Sequence, residues 1–202
     1  MDELAFIEKF VRENGDYIRE KFATKQELTV TSKATVVDLL TEVDLTVQKR
    51  FVEQVEKQYP GDLVIGEEGE FSRHRAERTG RCWVIDPIDG TNNFVRGLFP
   101  IFCVSIAFAV DGLAEAAGVY LPIGDTCFTA RRGSGSYYEK QRLTVSGVQH
   151  IEEASIHFDL YLPVDRKKLL TRAGELLRSA GQVRCHGSAA VSMCEIALGQ
   201  AE

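Results

Sequence analysis

Apolar side chains recur at helical spacing near the start of the chain. Leu4, Ile7, Phe10, Val11, Ile18 and Phe22 form one stripe among polar residues, which predicts a helix over Leu4 to Phe22. A second stripe of Val47, Phe51 and Val55 predicts a helix from Asp44 to Tyr59 that stops before Pro60-Gly61. Thr41 and Asp44 ahead of it have the spacing of a capping box with a shorter acid. The pattern then changes to short apolar runs, which predict strands at Leu63 to Ile65, Trp83 to Ile88, Ile101 to Val110, Ala114 to Leu121 and Asp125 to Ala130. Asp111-Gly112 supplies hairpin-turn chemistry between the third and fourth. Gly133-Ser134-Gly135-Ser136 reads as a turn before Tyr137-Tyr138, because no Lys-Ser/Thr pair follows to make it a phosphate loop. Farther on, Val164 to Ala180 reads as a helix and Val183 to Cys185 as a short strand leading into a helix opened by Gly187. No repeat or low-complexity segment interrupts this order. The elements describe a sheet covered by helices, with a domain boundary near Ser146-Gly147 that separates residues 1–145 from 146–202.

Candidate chemistry gathers where predicted strands end. The strand from Trp83 runs into Asp86-Pro87-Ile88-Asp89-Gly90-Thr91-Asn92, where Pro87 stiffens the backbone between two carboxylates three residues apart. Both can converge on one hard cation, which takes oxygen ligands. A helix starting at Gly90-Thr91 would turn unpaired N–H groups toward an anion beside that cation. The same residues would also make an Asx-type turn after a buried strand. A second acidic turn, Gly66-Glu67-Glu68-Gly69, follows Leu63-Val64-Ile65 in the same layout, and in sheet proteins ligands collect where strands end. Asp44 is a third acidic position, which also serves as a simple helix start.

These segments resemble the inositol monophosphatase family of magnesium-dependent, lithium-sensitive sugar and polyol phosphatases. Lys33 through Asp44, Gly66-Glu67-Glu68, Asp86-Pro87-Ile88-Asp89-Gly90-Thr91 and Gly187-Ser188-Ala189-Ala190 match in order, over essentially the whole chain. The resemblance implies an α/β (α+β) fold, a layered α-β-α-β sandwich of the inositol monophosphatase and fructose-1,6-bisphosphatase type. It implies Mg2+ held by Glu67, Asp86, Asp89 and the main-chain carbonyl of Ile88. It also implies that Thr91 and Asp44 orient and deprotonate the attacking water, with Glu67, Thr91 and Asp44 as the catalytic set. Backbone N–H groups of Gly90, Thr91 and Asn92 would hold phosphate, and Gly187, Ser188 and Ala189 would meet the sugar or polyol hydroxyls. Ser188 stands where threonine is commoner, and Lys33 falls in a loop that helps complete a metal site. A homodimer is expected by the same resemblance. The family pattern continues past Glu202 into a tryptophan-aspartate pair that this sequence lacks, Trp83 being its only tryptophan, so the last part of the second domain is expected to be missing.

General chemistry points the same way. A phosphate monoester dianion repels hydroxide, so hydrolysis needs charge neutralisation, activation of water and stabilisation of the leaving alkoxide, all of which clustered magnesium supplies. An aspartyl-phosphate route would want carboxylates two apart on one strand end, whereas Asp86 and Asp89 are three apart. Three activities stay open: a phosphatase for inositol phosphates or related polyols, the same chemistry on fructose 1,6-bisphosphate, histidinol phosphate or adenosine 3′,5′-bisphosphate, and a noncatalytic metal- and phosphate-binding module.

Composition narrows the partners. With 44% hydrophobic and 27% charged residues, the 202-residue chain has the make-up of a globular protein. A net charge of −6 argues against a nucleic-acid surface, and no extended run of clustered Lys and Arg overturns that, Arg131-Arg132 being too short. The longest apolar run, Ile101 to Val110, is too short to span a bilayer, so no membrane partner is expected. Five cysteines, an odd count without paired metal spacing, read as buried free thiols, and with the acidic start Met1-Asp2-Glu3 they suggest a cytoplasmic location. His74, His150, His157 and His186 show no pair spacing for zinc and read as surface or satisfied polar side chains.

Overall fold

Both amphipathic stripes form helices in the computed structural model, which describes residues 2–24, 28–33, 39–69, 71, 79–98, 101–159 and 165–202. Helix α1 spans Glu3–Ala23 and buries Phe6, Ile7, Phe10, Val11 and Ile18. Helix α2 spans Glu42–Gln58, starting slightly earlier than its apolar stripe suggests. The start is set by the expected capping box: the Thr41 hydroxyl accepts from the Val43 and Asp44 N–H groups, and the Asp44 carboxylate accepts from the Thr41 N–H at 2.9 Å.

A short antiparallel pair, β1 (Val30–Ser32) and β2 (Leu39–Thr41), precedes α2. The main sheet has seven strands in the order β3 (Leu63–Gly66), β4 (Arg81–Asp89), β5 (Cys103–Val110), β6 (Leu113–Leu121), β7 (Thr126–Arg131), β8 (Gly135–Tyr138) and β9 (Gln141–Arg142). Within this sheet β3 and β4 pair in parallel, and the other described neighbours pair antiparallel. The five strands read from apolar runs are all present with ends shifted slightly, whereas β1, β2, β8, β9 and β10 (Ser155–His157) are too short or too polar to show in that pattern. Asp111 and Gly112 turn the β5–β6 hairpin with φ of 51° and 78°, the left-handed pair that such a turn requires.

Alternation along the strands sets the layers. Val104, Ile106 and Phe108 join the core under α1 and α2, where Phe6 and Phe51 each meet Trp83 edge to face. On the opposite face Ser105, Ala117 and Val119 line a groove with Ala190, Met193 and Cys194 of α5 (Ala189–Ala197). Beyond α5 lie β10 and its parallel partner β11 (Gln182–Arg184), preceded by α4 (Arg166–Ser179). This is the expected helix–sheet–helix–sheet layering. The predicted helix start at Val164 lies outside the described residues, and residues 143–150 carry no helix or strand.

One irregularity matters for the site. Asp86 pairs with Ser105 and Asp89 with Cys103, so an extra residue is fitted into β4 at Pro87-Ile88. Proline has no N–H for the ladder, so such a bulge is where a strand tolerates it, and the bulge re-aims the side chains that follow.

Candidate active site

Three chain segments end around one cleft of about 400 Å³. The turn after β3 brings Glu67. The bulged end of β4 and the start of α3 (Thr91–Arg96) bring Asp86, Ile88, Asp89, Gly90, Thr91 and Asn92, and the entry to α5 brings Gly187, Ser188 and Ala189. The structure therefore collects every predicted site residue in the cleft except Asp44, which is fully buried and stands behind Thr91. A larger concavity of about 560 Å³ shares Glu67 and Asp86 but otherwise offers mainly apolar sheet residues, so the polar cleft is the better candidate for chemistry.

Each group is held by its local backbone. Gly90 has φ 94°, and a Cβ there would stand 2.8 Å from the Ile101 carbonyl oxygen, so only glycine makes this turn. The turn lets the Thr91 hydroxyl donate to the Ile88 carbonyl at 2.9 Å while lying 3.4 Å from Asp44 Oδ1. The Ile88 N–H donates to Asp86 Oδ1 at 3.2 Å, so the Asx-type turn forms as part of the carboxylate cluster instead of replacing it. Asp89 Oδ2 accepts from the Ser188 hydroxyl at 2.7 Å and from the Ala190 N–H at 2.6 Å, which locks the end of β4 to the start of α5.

The electrostatics are those of crowded carboxylates. Burial, reinforced by the charges of Glu67 and Asp89, pushes Asp86 up to about 9. Burial likewise raises Asp44 to about 6, although its hydrogen bonds from Thr41 oppose the rise. Lys33 donates to Glu67 at 2.8 Å and to Glu68 at 2.5 Å; burial works against its ammonium, but these two carboxylates outweigh it and raise its pKa. Cys103 donates its thiol to Asp89 at 3.8 Å, and burial pushes that thiol well above its usual range, which favours the protonated form. A cleft lined by the carboxylates of Glu67, Asp86, Asp89 and Asp159 and by Ile88, without imidazole, fits a hard divalent cation, which would offset the burial and the like-charge repulsion that raise Asp86.

Several contributors have no clear sequence signal. Gln48 clamps the acidic turn to α2, donating to the Glu68 carbonyl at 2.9 Å and accepting from its N–H at 3.0 Å. Asn93 donates to the carbonyls of Ile101 and His186, both at 2.7 Å, and so ties α3 to the segment before α5. Asp159 lines the cleft and accepts from the Gly187 N–H at 2.8 Å. A polar residue inside an apolar helical stripe is the one hint Gln48 offers.

Two expectations need correction. Cys185 is exposed and its thiol donates to Asp159 at 3.0 Å, whereas the other four cysteines are buried free thiols as expected. His157 and His186 are neither surface groups nor satisfied: both ring nitrogens of His157 and Nδ1 of His186 are buried without a hydrogen-bond partner. His74 lies outside the described residues.

Comparison with known proteins agrees with this geometry. A model of the inositol monophosphatase family matches residues 1–202. The chain is 35% identical over 196 residues to inositol monophosphatase 1 of Homo sapiens, covering 95% of this chain and 70% of that protein. Among solved structures, an IMPase of Thermotoga maritima superposes with a TM-score of 0.85 at 30% identity, over 100% of this chain and 75% of that one. An IMPase/NADP phosphatase solved with Mg2+ and phosphate has the same fold, with a TM-score of 0.81 at 23% identity over 99% of this chain and 74% of that one. The carboxylate cluster at the ends of β3 and β4, the full-length family match and the shared fold together show that this chain belongs to the inositol monophosphatase family of phosphoric monoester hydrolases.

Proposed function

We propose that this chain hydrolyses a phosphate monoester of inositol or a related polyol or sugar with Mg2+ as cofactor, by direct attack of water. The observation that carries this reading is the contact chain Ile88 carbonyl, Thr91 hydroxyl, Asp44 carboxylate beside Glu67, Asp86 and Asp89. Glu67, Asp86, Asp89 and the Ile88 carbonyl are the groups that would hold Mg2+. When bound, Mg2+ would neutralise phosphate charge, lower the pKa of water and stabilise the leaving alkoxide.

The chain's own residues handle the proton. The Thr91 hydroxyl would turn its one proton from the Ile88 carbonyl to Asp44 Oδ1, the oxygen that Thr41 leaves available, and pass it on as Oγ1 takes a proton from the attacking water. With a pKa of about 6, Asp44 is ionised at neutral pH yet basic enough to take that proton. Gly90, Thr91 and Asn92 would receive the phosphate. Gly187, Ser188 and Ala189 face them across the cleft, where they would meet substrate hydroxyls. The parallel pair β10–β11 and α5 would belong to a substrate-binding unit, residues 146–202, apart from the metal-binding unit 1–145. A homodimer and a cytoplasmic location are further parts of the proposal, the second supported by five unpaired thiols. No helix among the described residues is long and apolar enough to cross a membrane.

The test is Mg2+-dependent phosphate release from inositol 1-phosphate, fructose 1,6-bisphosphate and adenosine 3′,5′-bisphosphate, with Glu67→Gln as control. Turnover of the inositol ester that is lost in the control is expected. Turnover that survives Glu67→Gln would overturn the proposed metal site, and sedimentation showing only monomer would overturn the dimer.

A further inference from the structure

Away from the carboxylate cleft, three metal-ligating side chains from separate elements meet in the second layer. His157 ends β10, His186 follows β11, and Glu195 sits on α5. One ligand atom from each lies within 4.8 Å of the others. His157 Nε2 is 3.2 Å from Glu195 Oε2, and His186 Nδ1 is 3.6 Å from Glu195 Oε1. The two rings stand perpendicular, 4.4 Å apart. We propose that His157, His186 and Glu195 form a second metal site, for zinc or a similar transition ion, distinct from the carboxylate cluster.

Three physical points support it. First, the His157 side chain is only 4% exposed, yet neither of its ring nitrogens has a hydrogen-bond partner, even though Glu195 is close. Buried polar atoms are ordinarily paired, and a cation among them would engage a lone pair on each ring. Second, two nitrogens and a carboxylate oxygen form a donor set that suits zinc, with a solvent molecule as fourth ligand, and not the all-oxygen shell that magnesium prefers. Third, the three side chains are close enough to share one ion. Bonds of about 2.0–2.1 Å to a tetrahedral ion place neighbouring ligands about 3.4 Å apart; His157 and His186 stand 3.2 and 3.6 Å from the two oxygens of Glu195, and one ligand atom from each residue lies within 4.8 Å of the others.

The position gives such an ion a structural role. It would pin β10, the end of β11 and α5 to one another at the root of the Gly187-Ser188-Ala189 segment. That segment is tied to the carboxylate site twice, through the His186 carbonyl to Asn93 and through the Ser188 hydroxyl to Asp89. Residues 157, 186 and 195 have no metal-site spacing in sequence, because strand pairing and helix packing bring them together.

The experiment uses the full chain stripped with chelator, saturated with Mg2+ to fill the carboxylate cluster, and titrated with Co2+ as an optical probe. One further equivalent of Co2+ with the intense visible absorption of tetrahedral cobalt is expected, displaced by Zn2+. The signal should persist in Glu67→Gln. It should weaken in His186→Ala and Glu195→Gln by more than the ~10–100-fold that follows loss of a mere partner of a ligand. Glu195 is partly exposed on α5, so its amide variant tests the site with little disturbance of packing. Failure of the Mg2+-loaded chain to bind Co2+, or a signal that survives both His186→Ala and Glu195→Gln, would overturn the proposal. So would a signal lost in Glu67→Gln alone, which would place the cobalt in the carboxylate cluster. Because binding is read without turnover, the outcome is independent of the proposed phosphatase reaction.

Discussion

Replacing Asp44 with asparagine separates what its charge costs the fold from what it does for the reaction. The amide oxygen can still accept from the Thr41 N–H, as the carboxylate does at 2.9 Å, so the helix cap is kept and only the buried charge goes. Burial raises Asp44 from 3.8 to about 6, which means that the folded protein holds this proton more tightly than the unfolded chain does. Its contribution to stability is therefore fully present below pH 3.8 and lost as pH rises through about 6. The gap between the two values corresponds to about 3 kcal/mol at pH 8 and roughly half that at pH 5. Asp44→Asn should be more stable than the parent by about these amounts, raising Tm by roughly 6–12 °C at pH 8 for a chain of this size. Urea unfolding followed by circular dichroism, in EDTA at both pH values, reads the difference. Phosphate release should fall by roughly 10²–10⁴-fold, because the proton acceptor is gone. An asparagine variant less stable than the parent at pH 8, or a gain that does not change between pH 8 and pH 5, would refute the assignment of a desolvated, ionised Asp44.

Other substitutions test neighbouring links. Thr91→Ala should lower kcat by roughly 10²–10⁴-fold with KM changed only a few-fold; steady-state kinetics showing a KM effect alone would remove Thr91 from water activation. Asp89→Asn keeps an oxygen for Ser188 and Ala190 but loses a charged metal ligand, so titration calorimetry should show Mg2+ affinity falling by more than about tenfold while the circular dichroism spectrum is unchanged. Gly66→Ala would place a methyl group into the buried Gln48 carboxamide that holds Glu68, and should cost about 2–4 kcal/mol in urea unfolding. A loss below about 0.5 kcal/mol would show that the acidic turn does not depend on that clamp.

What the sequence determined is local. The apolar stripes of α1 and α2 follow from 3.6-residue periodicity, the Thr41–Asp44 cap from a three-residue spacing, and the bend after β4 from Pro87 and Gly90, because each is decided by neighbours along the chain. The family motifs mark the cleft residues in the sequence itself. The tertiary structure decided which of these segments meet. Asp44 reaches Thr91 because β2 lies against α3 and α2 packs on β4, and its pKa follows from burial that no linear pattern records. Asn93, Gln48 and Asp159 act through partners distant in sequence, and their residue types are too common to stand out. The histidines show this most clearly. Their spacing argued against a metal, yet the parallel register of β10 and β11 and the packing of α5 place His157, His186 and Glu195 together, since strand pairing and helix docking fix distances that sequence separation does not.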